Sequence, residues 1–170
     1  GKDYPLRDRD LQTLDPENPY ALTPEEKIVI EKLTHNFEAS ASLAKHMQLL
    51  YSHGALYLVR NSNLLYHGSV PLNEDGSFKS LEVQGKEYAG KALFDKIDQV
   101  VRQAYFENEN KAAKLYGQDF MWYLWCGPVS PPFDKNRMAT FERYLLSDKE
   151  AQKEHKGWYN VLKNNKEICE

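Results

Sequence analysis

The sequence predicts an α+β fold in which helices pack on short hairpins. Three observations point there. Apolar residues recur at helical spacing in several separated stretches, two short β-rich runs are each broken by compact polar turns, and proline and glycine punctuate the chain at nearly every junction. The 170 residues suffice for a hydrophobic core, with 41% hydrophobic and 28% charged residues, the usual balance of a water-exposed globular chain.

Residues 1–22 read as an extended leader, broken by Pro5, Pro16 and Pro19. The first helix opens at a capping box: Thr23 at N-cap, Pro24 at N1 and Glu26 at N3. Val29, Leu33, Phe37, Leu43, Met47 and Leu50 follow at helical spacing, with a break expected near Ser40 and Ser42, whose hydroxyls compete for the backbone. His53-Gly54 closes it. Residues 55–59 and 64–66 form a hairpin about Asn61-Ser62-Asn63, and its continuous apolar character predicts burial on both faces. A second, more exposed hairpin folds about Gln84-Gly85-Lys86.

A helix from Gly90 carries the stripe Leu93, Ile97, Val100 or Val101, and Ala104. The polar stretch 108–114 is expected to fray, and Gly117 to separate it from the aromatic run Phe120-Met121-Trp122-Tyr123-Leu124-Trp125, which reads as buried. Residues 129–133 are irregular, 137–146 helical, and Ser147-Asp148-Lys149-Glu150 reads as a capping box opening a short polar helix that ends at 157–159. Residues 23–170 are taken as one structural unit. Neither end closes an element, so the chain reads as cut from something longer.

Composition narrows the function. Net charge is −3 with mixed signs, so there is no basic field for nucleic acid. No run approaches the roughly 20 apolar residues of a membrane span. The cysteines, Cys126 and Cys169, lie far apart, which fits reduced cytoplasmic thiols. There is no Gly-rich phosphate loop, no CxxC and no nucleophile elbow, and Cys126 beside the aromatic run is a poor nucleophile. No catalytic residue is assigned.

Of the five histidines, His35 and His46 lie within a helix without a zincin partner, His53 reads as a helix C-terminal cation, and His155 lies among charges. His67 differs: it follows an apolar strand, with Gly68 allowing a tight turn. It is either a hydrogen-bonded turn residue or a metal ligand at a strand tip. Lys135, Arg137 and Arg143 form a cationic group near the Ser-Pro-Pro loop, either a solvated face or a phosphate-binding set.

The segments DPENPYALTPEE, LYLVRNSNLLYHGSVPLNEDGSF, DFMWYLWCGPVSPPF and MATFERYLLSDKE resemble, in the same order, the central part of the bacterial class III fructose-1,6-bisphosphatases. These are cytoplasmic, manganese-dependent hydrolases of gluconeogenesis within the calcineurin-like metallophosphoesterases. The resemblance implies an incomplete piece of a β-sandwich fold, a sugar bisphosphate substrate, a binuclear Mn²⁺ site with His67 as one ligand, and Lys135, Arg137 and Arg143 as substrate-phosphate contacts. Leu124-Trp125-Cys126-Gly127-Pro128 followed by Arg137 is also similar to a phosphoprotein phosphatase segment, with different spacing.

The family's other metal motifs, Asp-x-His, Gly-Asp-x-x-Asp-Arg-Gly, Gly-Asn-His and a late Gly-His, do not occur in these residues. The resemblance therefore implies that the remaining ligands come from the rest of a parent chain and that this part alone is inactive. Two alternatives stand beside it: a non-catalytic regulatory or oligomerisation segment of that enzyme, with a homo-oligomer as partner, or part of a phosphoprotein phosphatase.

Overall fold

The computed structural model describes residue 7 and residues 12–169. These form a mixed α+β arrangement: α1 (Pro24–Glu38), α2 (Ala41–His53), β1 (Tyr57–Arg60), β2 (Asn63–Tyr66), β3 (Leu81–Val83), β4 (Lys86–Tyr88), α3 (Gly90–Phe106), α4 (Lys111–Cys126), α5 (Thr140–Leu145), α6 (Trp158–Leu162) and α7 (Lys166–Cys169). The strands make two separate antiparallel hairpins, β1-β2 and β3-β4, and no sheet closes among the described residues. This is consistent with a piece of a larger sandwich-type fold.

The chain divides into two compact units. One holds residues up to Leu50 together with Thr140–Gln152, and the other holds Tyr51–Ala139 together with Lys153 onward. The boundary cuts across the stretch 23–170. Residues 1–6 and 8–11 of the leader lie outside the described residues. Its described part begins with turns in which Asp15 accepts from the Glu17 amide through its side chain and from the Asn18 amide through its carbonyl.

In the first unit the capping box forms as expected. The Glu26 amide donates to Thr23 Oγ1 at 3.2 Å, and the Thr23 amide donates to Glu26 Oε2 at 2.8 Å. That backbone bond, with the Thr13 hydroxyl bond to Oε1, holds the Glu26 carboxyl below its ordinary value. Helix α1 ends at Ala39, and the Ser40 hydroxyl then accepts from the Leu43 amide to start α2. The predicted break therefore falls where the serine supplies a local hydrogen bond.

The second unit has its core between α3 and α4. Val83, Leu93, Ile97, Val100, Phe120 and Leu124 are buried together. Each such side chain contributes about 1.5–3 kcal/mol relative to exposure. The α3 stripe falls as predicted, with Val100 rather than Val101 fully buried. Arg102 ties α3 to the end of α2: its Nη2 donates to Gly54 O at 2.6 Å, its Nη1 to Tyr51 O, and its Nε to Asp98 at 2.8 Å. Carbonyls left open by the end of α2 thereby gain charged donors.

Five expectations change. Helix α4 runs unbroken through Gly117, capped by Asn110, whose side chain accepts from the Ala113 amide at 3.0 Å. Gly117 is a packing residue and not a break, because a Cβ there would meet the Ala104 Cβ at 2.7 Å. The aromatic run is amphipathic: Phe120 and Leu124 are buried while Trp122 and Trp125 are 67% and 66% exposed. The first hairpin is not covered on both faces, since Leu58, Val59, Leu64 and Leu65 are all exposed. Residues 147–150 form turns rather than a helix, because the Asp148 side chain accepts from the Glu150 amide at 2.8 Å two residues on. Gly157 then opens α6 instead of closing a helix.

Both hairpins use two-residue turns with positive φ at both positions, Asn61-Ser62 at 50° and 61° and Gln84-Gly85 at 54° and 76°. Such turns match the right-handed twist of the flanking strands. The register pairs Tyr57 with Tyr66 and Arg60 with Asn63, so β2 delivers its last residue beside the start of β1.

Candidate metal and phosphate sites

His67 is the residue after β2, and it is exposed. The strand end beneath it is fixed by aromatic contacts: the Tyr66 ring meets Phe94 edge-on at 6.5 Å, and its hydroxyl is hydrogen-bonded to the Tyr159 hydroxyl. Burial, and then that hydroxyl, push the Tyr66 phenol up to about 12. Behind His67 the chain turns at Gly68, φ +92, against the backbone of Pro131, where a Cβ would lie 2.2 Å from the carbonyl oxygen. The same oxygen accepts from the Ser69 amide at 2.9 Å and from the Ser69 hydroxyl at 3.2 Å, and Ser69 is fully buried. His67 is thus an exposed imidazole on a pinned backbone.

His67 lines a cavity of about 500 Å³ with His53, Leu56, Tyr57, Leu65 and Pro132. His53, expected only as a helix-end cation, shares this cavity. Nothing in its sequence setting signals that, because the hairpin brings the two histidines to one space. Among the described residues no group of three or more His, Cys, Asp or Glu could hold a metal ion. The residues present fit a metal only as contributors of single imidazole ligands.

The cationic group is spread over both units. Lys135 lies in the second unit, where its Nζ pairs with Glu154 Oε2 at 2.6 Å. Glu154 is only 6% exposed at its side chain, and its other oxygen accepts from the Ala139 amide at 2.9 Å. In the same unit Arg137 Nε donates to Lys153 O at 3.0 Å. In the first unit Arg143 Nε donates to Gln152 O at 3.3 Å. Each cation therefore has a role in tying a loop.

Lys135 also lines a cleft of about 230 Å³ in the second unit that includes Lys79, His155 and Lys156. Neither Lys79 nor Lys156 is marked out by sequence: the first follows a turn, and the second sits in a Lys-Glu-His-Lys run that reads as a solvated face. Cys126 is a free thiol, half-buried beside the exposed tryptophans. The side chain of Cys169 lies outside the described residues.

Comparison with known proteins defines the class first. The family model described as Firmicute fructose-1,6-bisphosphatase matches residues 1–170, the whole of the chain. The chain belongs to that family. Fructose-1,6-bisphosphatase class 3 of Bacteroides fragilis is 56% identical over 170 residues, which is 100% of this chain and 26% of the relative. The proteins of the same description from Bacteroides thetaiotaomicron and Clostridium tetani are 55% and 51% identical, each again matched over 26% of its length. The chain thus spans about a quarter of the length of the curated relatives it matches. No solved structure matches it significantly. Membership implies a divalent-metal site in the full enzyme, and no helix among the described residues is long and apolar enough to cross a membrane.

Proposed function

We propose that this chain is part of an enzyme that hydrolyses fructose 1,6-bisphosphate to fructose 6-phosphate and phosphate in gluconeogenesis. The observation that carries the reading is the match of all 170 residues to the family, with His67-Gly68 held at the tip of a strand. Two divalent ions, manganese by family likeness, supply the electrophilic and nucleophile-generating chemistry when bound.

Within this chain, His67 offers one imidazole nitrogen to that site. Gly68 and Ser69 fix the adjoining backbone on Pro131, so the ligand is carried on a held strand end. Lys135, Arg137 and Arg143 are the contacts proposed for substrate phosphate, through charge-assisted hydrogen bonds. The remaining metal ligands come from the rest of the longer protein, and this part alone does not turn over substrate. The enzyme works in the cytoplasm.

The full-length protein tests the reading. With Mn²⁺ it should release phosphate from fructose 1,6-bisphosphate and not from a phosphopeptide. The His67→Ala variant should lose at least about a hundredfold in metal-dependent turnover, more than is typical for an outer-sphere partner. Unchanged turnover in that variant removes His67 from the site. Hydrolysis by the isolated 170-residue chain would overturn its incompleteness.

A further inference from the structure

We propose that the cleft formed by Lys79, Lys135, His155 and Lys156 binds the phosphoryl group of a small, sugar-sized molecule. Residues 135 and 156 are directly paired across an isolated antiparallel bridge. That pairing puts both side chains on one face, with Cβ atoms about 4.5–5.5 Å apart, and like charges so placed repel. Lys135 is compensated by Glu154 at 2.6 Å, whereas Lys156 has no ion-pair partner among the described residues.

Lys79 lines the same cleft with a second ammonium that has no ion-pair partner among the described residues, and its backbone is fixed by the amide bond to Pro71 O at 3.0 Å. The one carboxylate lining the cleft, Asp134, accepts from the side-chain amide of Asn160, a neutral donor that leaves its charge in place. The three lysines set against Asp134 and Glu154 still leave the cleft positive, by a single charge, on a chain of net charge −3.

The chemistry of the occupant follows. A phosphate monoester offers three acceptor oxygens and about −1.5 to −2 of charge at neutral pH, so it can accept from Lys79 and Lys156 together, which the two oxygens of a carboxylate do less well. The volume, about 230 Å³, lies below the roughly 300–1,000 Å³ of drug-sized pockets and suits a small body resting against Trp158. Val129, on the rim, stands at φ +67, a conformation a β-branched residue seldom adopts. Strain of this kind collects at binding sites.

The phosphoryl group can belong to the sugar bisphosphate or to a separate small phosphate, and only that choice rests on the phosphatase reading. The test is titration of the full-length protein, stripped of metal with EDTA, with inorganic phosphate followed by calorimetry. The wild type should bind. Lys79→Gln and Lys156→Gln should each weaken binding about tenfold, and Lys156→Arg should restore it. Binding that is absent in the wild type, or equal in all variants, overturns the proposal. Lys79→Gln, remote in sequence from the bridge, keeps the test decisive if a change at 156 disturbs folding. Displacement of bound phosphate by fructose 1,6-bisphosphate assigns the group to the substrate, and simultaneous binding assigns it to a separate ligand. Either result supports the cleft, and phosphate binding without any turnover would retain it while removing the phosphatase reading.

Discussion

Gly68→Ala is the most informative single change next to the candidate metal ligand. Two costs add. At φ +92 any L residue is strained, by about 1–2 kcal/mol in the left-handed region. The new methyl would also lie 2.2 Å from Pro131 O and 2.9 Å from Pro132 Cα, both backbone atoms that cannot swing aside. Relief by overpacking costs about 1–3 kcal/mol. Relief by lifting residues 67–69 off Pro131 breaks both Ser69 bonds and strands a buried hydroxyl, again about 1–3 kcal/mol.

The two routes cost about the same, so the total should be about 2–5 kcal/mol. Gly85→Ala is the control. Its φ is +76, yet nothing lies within 4 Å of the added Cβ, so only the strain remains. Urea denaturation of both variants isolates the contact as the difference between them, expected at about 1–3 kcal/mol. If Gly68→Ala costs no more than Gly85→Ala, the loop does not rest on Pro131 and the account of how His67 is held is wrong.

Gly117→Ala should destabilise, although alanine gains about 1 kcal/mol of helix propensity, because the methyl meets Ala104 backbone and side chain at 2.7–3.0 Å. A rise in thermal midpoint would show that α3 and α4 are not in close contact there. Thr23→Ala should cost the α1 cap about 1 kcal/mol by denaturant midpoint. Glu26 in the same box has a lowered carboxyl pKa, so its contribution is complete above the ordinary 4.5 and fades as pH falls through the folded value. The stability gap between wild type and Glu26→Gln should therefore be larger at pH 7 than at pH 3, and a constant gap would refute the sign.

Local chemistry carried most of the fold into the sequence. The capping box, the serine break after α1, the two turns and the α3 stripe depend on neighbours within a few residues, and each appears in the structure. What was not legible depends on tertiary partners. Gly117 looks like a breaker until Ala104 is set against it. The apolar strands 57–60 and 63–66 look buried in sequence, yet Val59 and Leu65 stand exposed in the fold. At 147–150 the error was local: the Asp148 side chain bonded two residues on and made a turn.

The candidate sites show the same divide. His67 drew notice from its strand-end position, and only the family likeness gave it chemistry. Lys135, Arg137 and Arg143 stood out as a group in sequence, yet their bonds to Glu154, Lys153 and Gln152 needed coordinates. Lys79 and Lys156 are far apart along the chain and meet only because residues 71–79 and 155–158 fold onto one cleft.

The three tryptophans of the chain are all exposed residues, the least of them Trp158 at 38%. Their emission should therefore be that of water-exposed indoles and should respond to anything that comes to cover them. The protein carries its own optical probe: a blue shift that persists when Trp158 is replaced by Phe would report contact at Trp122 and Trp125, and quenching by iodide would measure how much of that surface stays open, with no label attached.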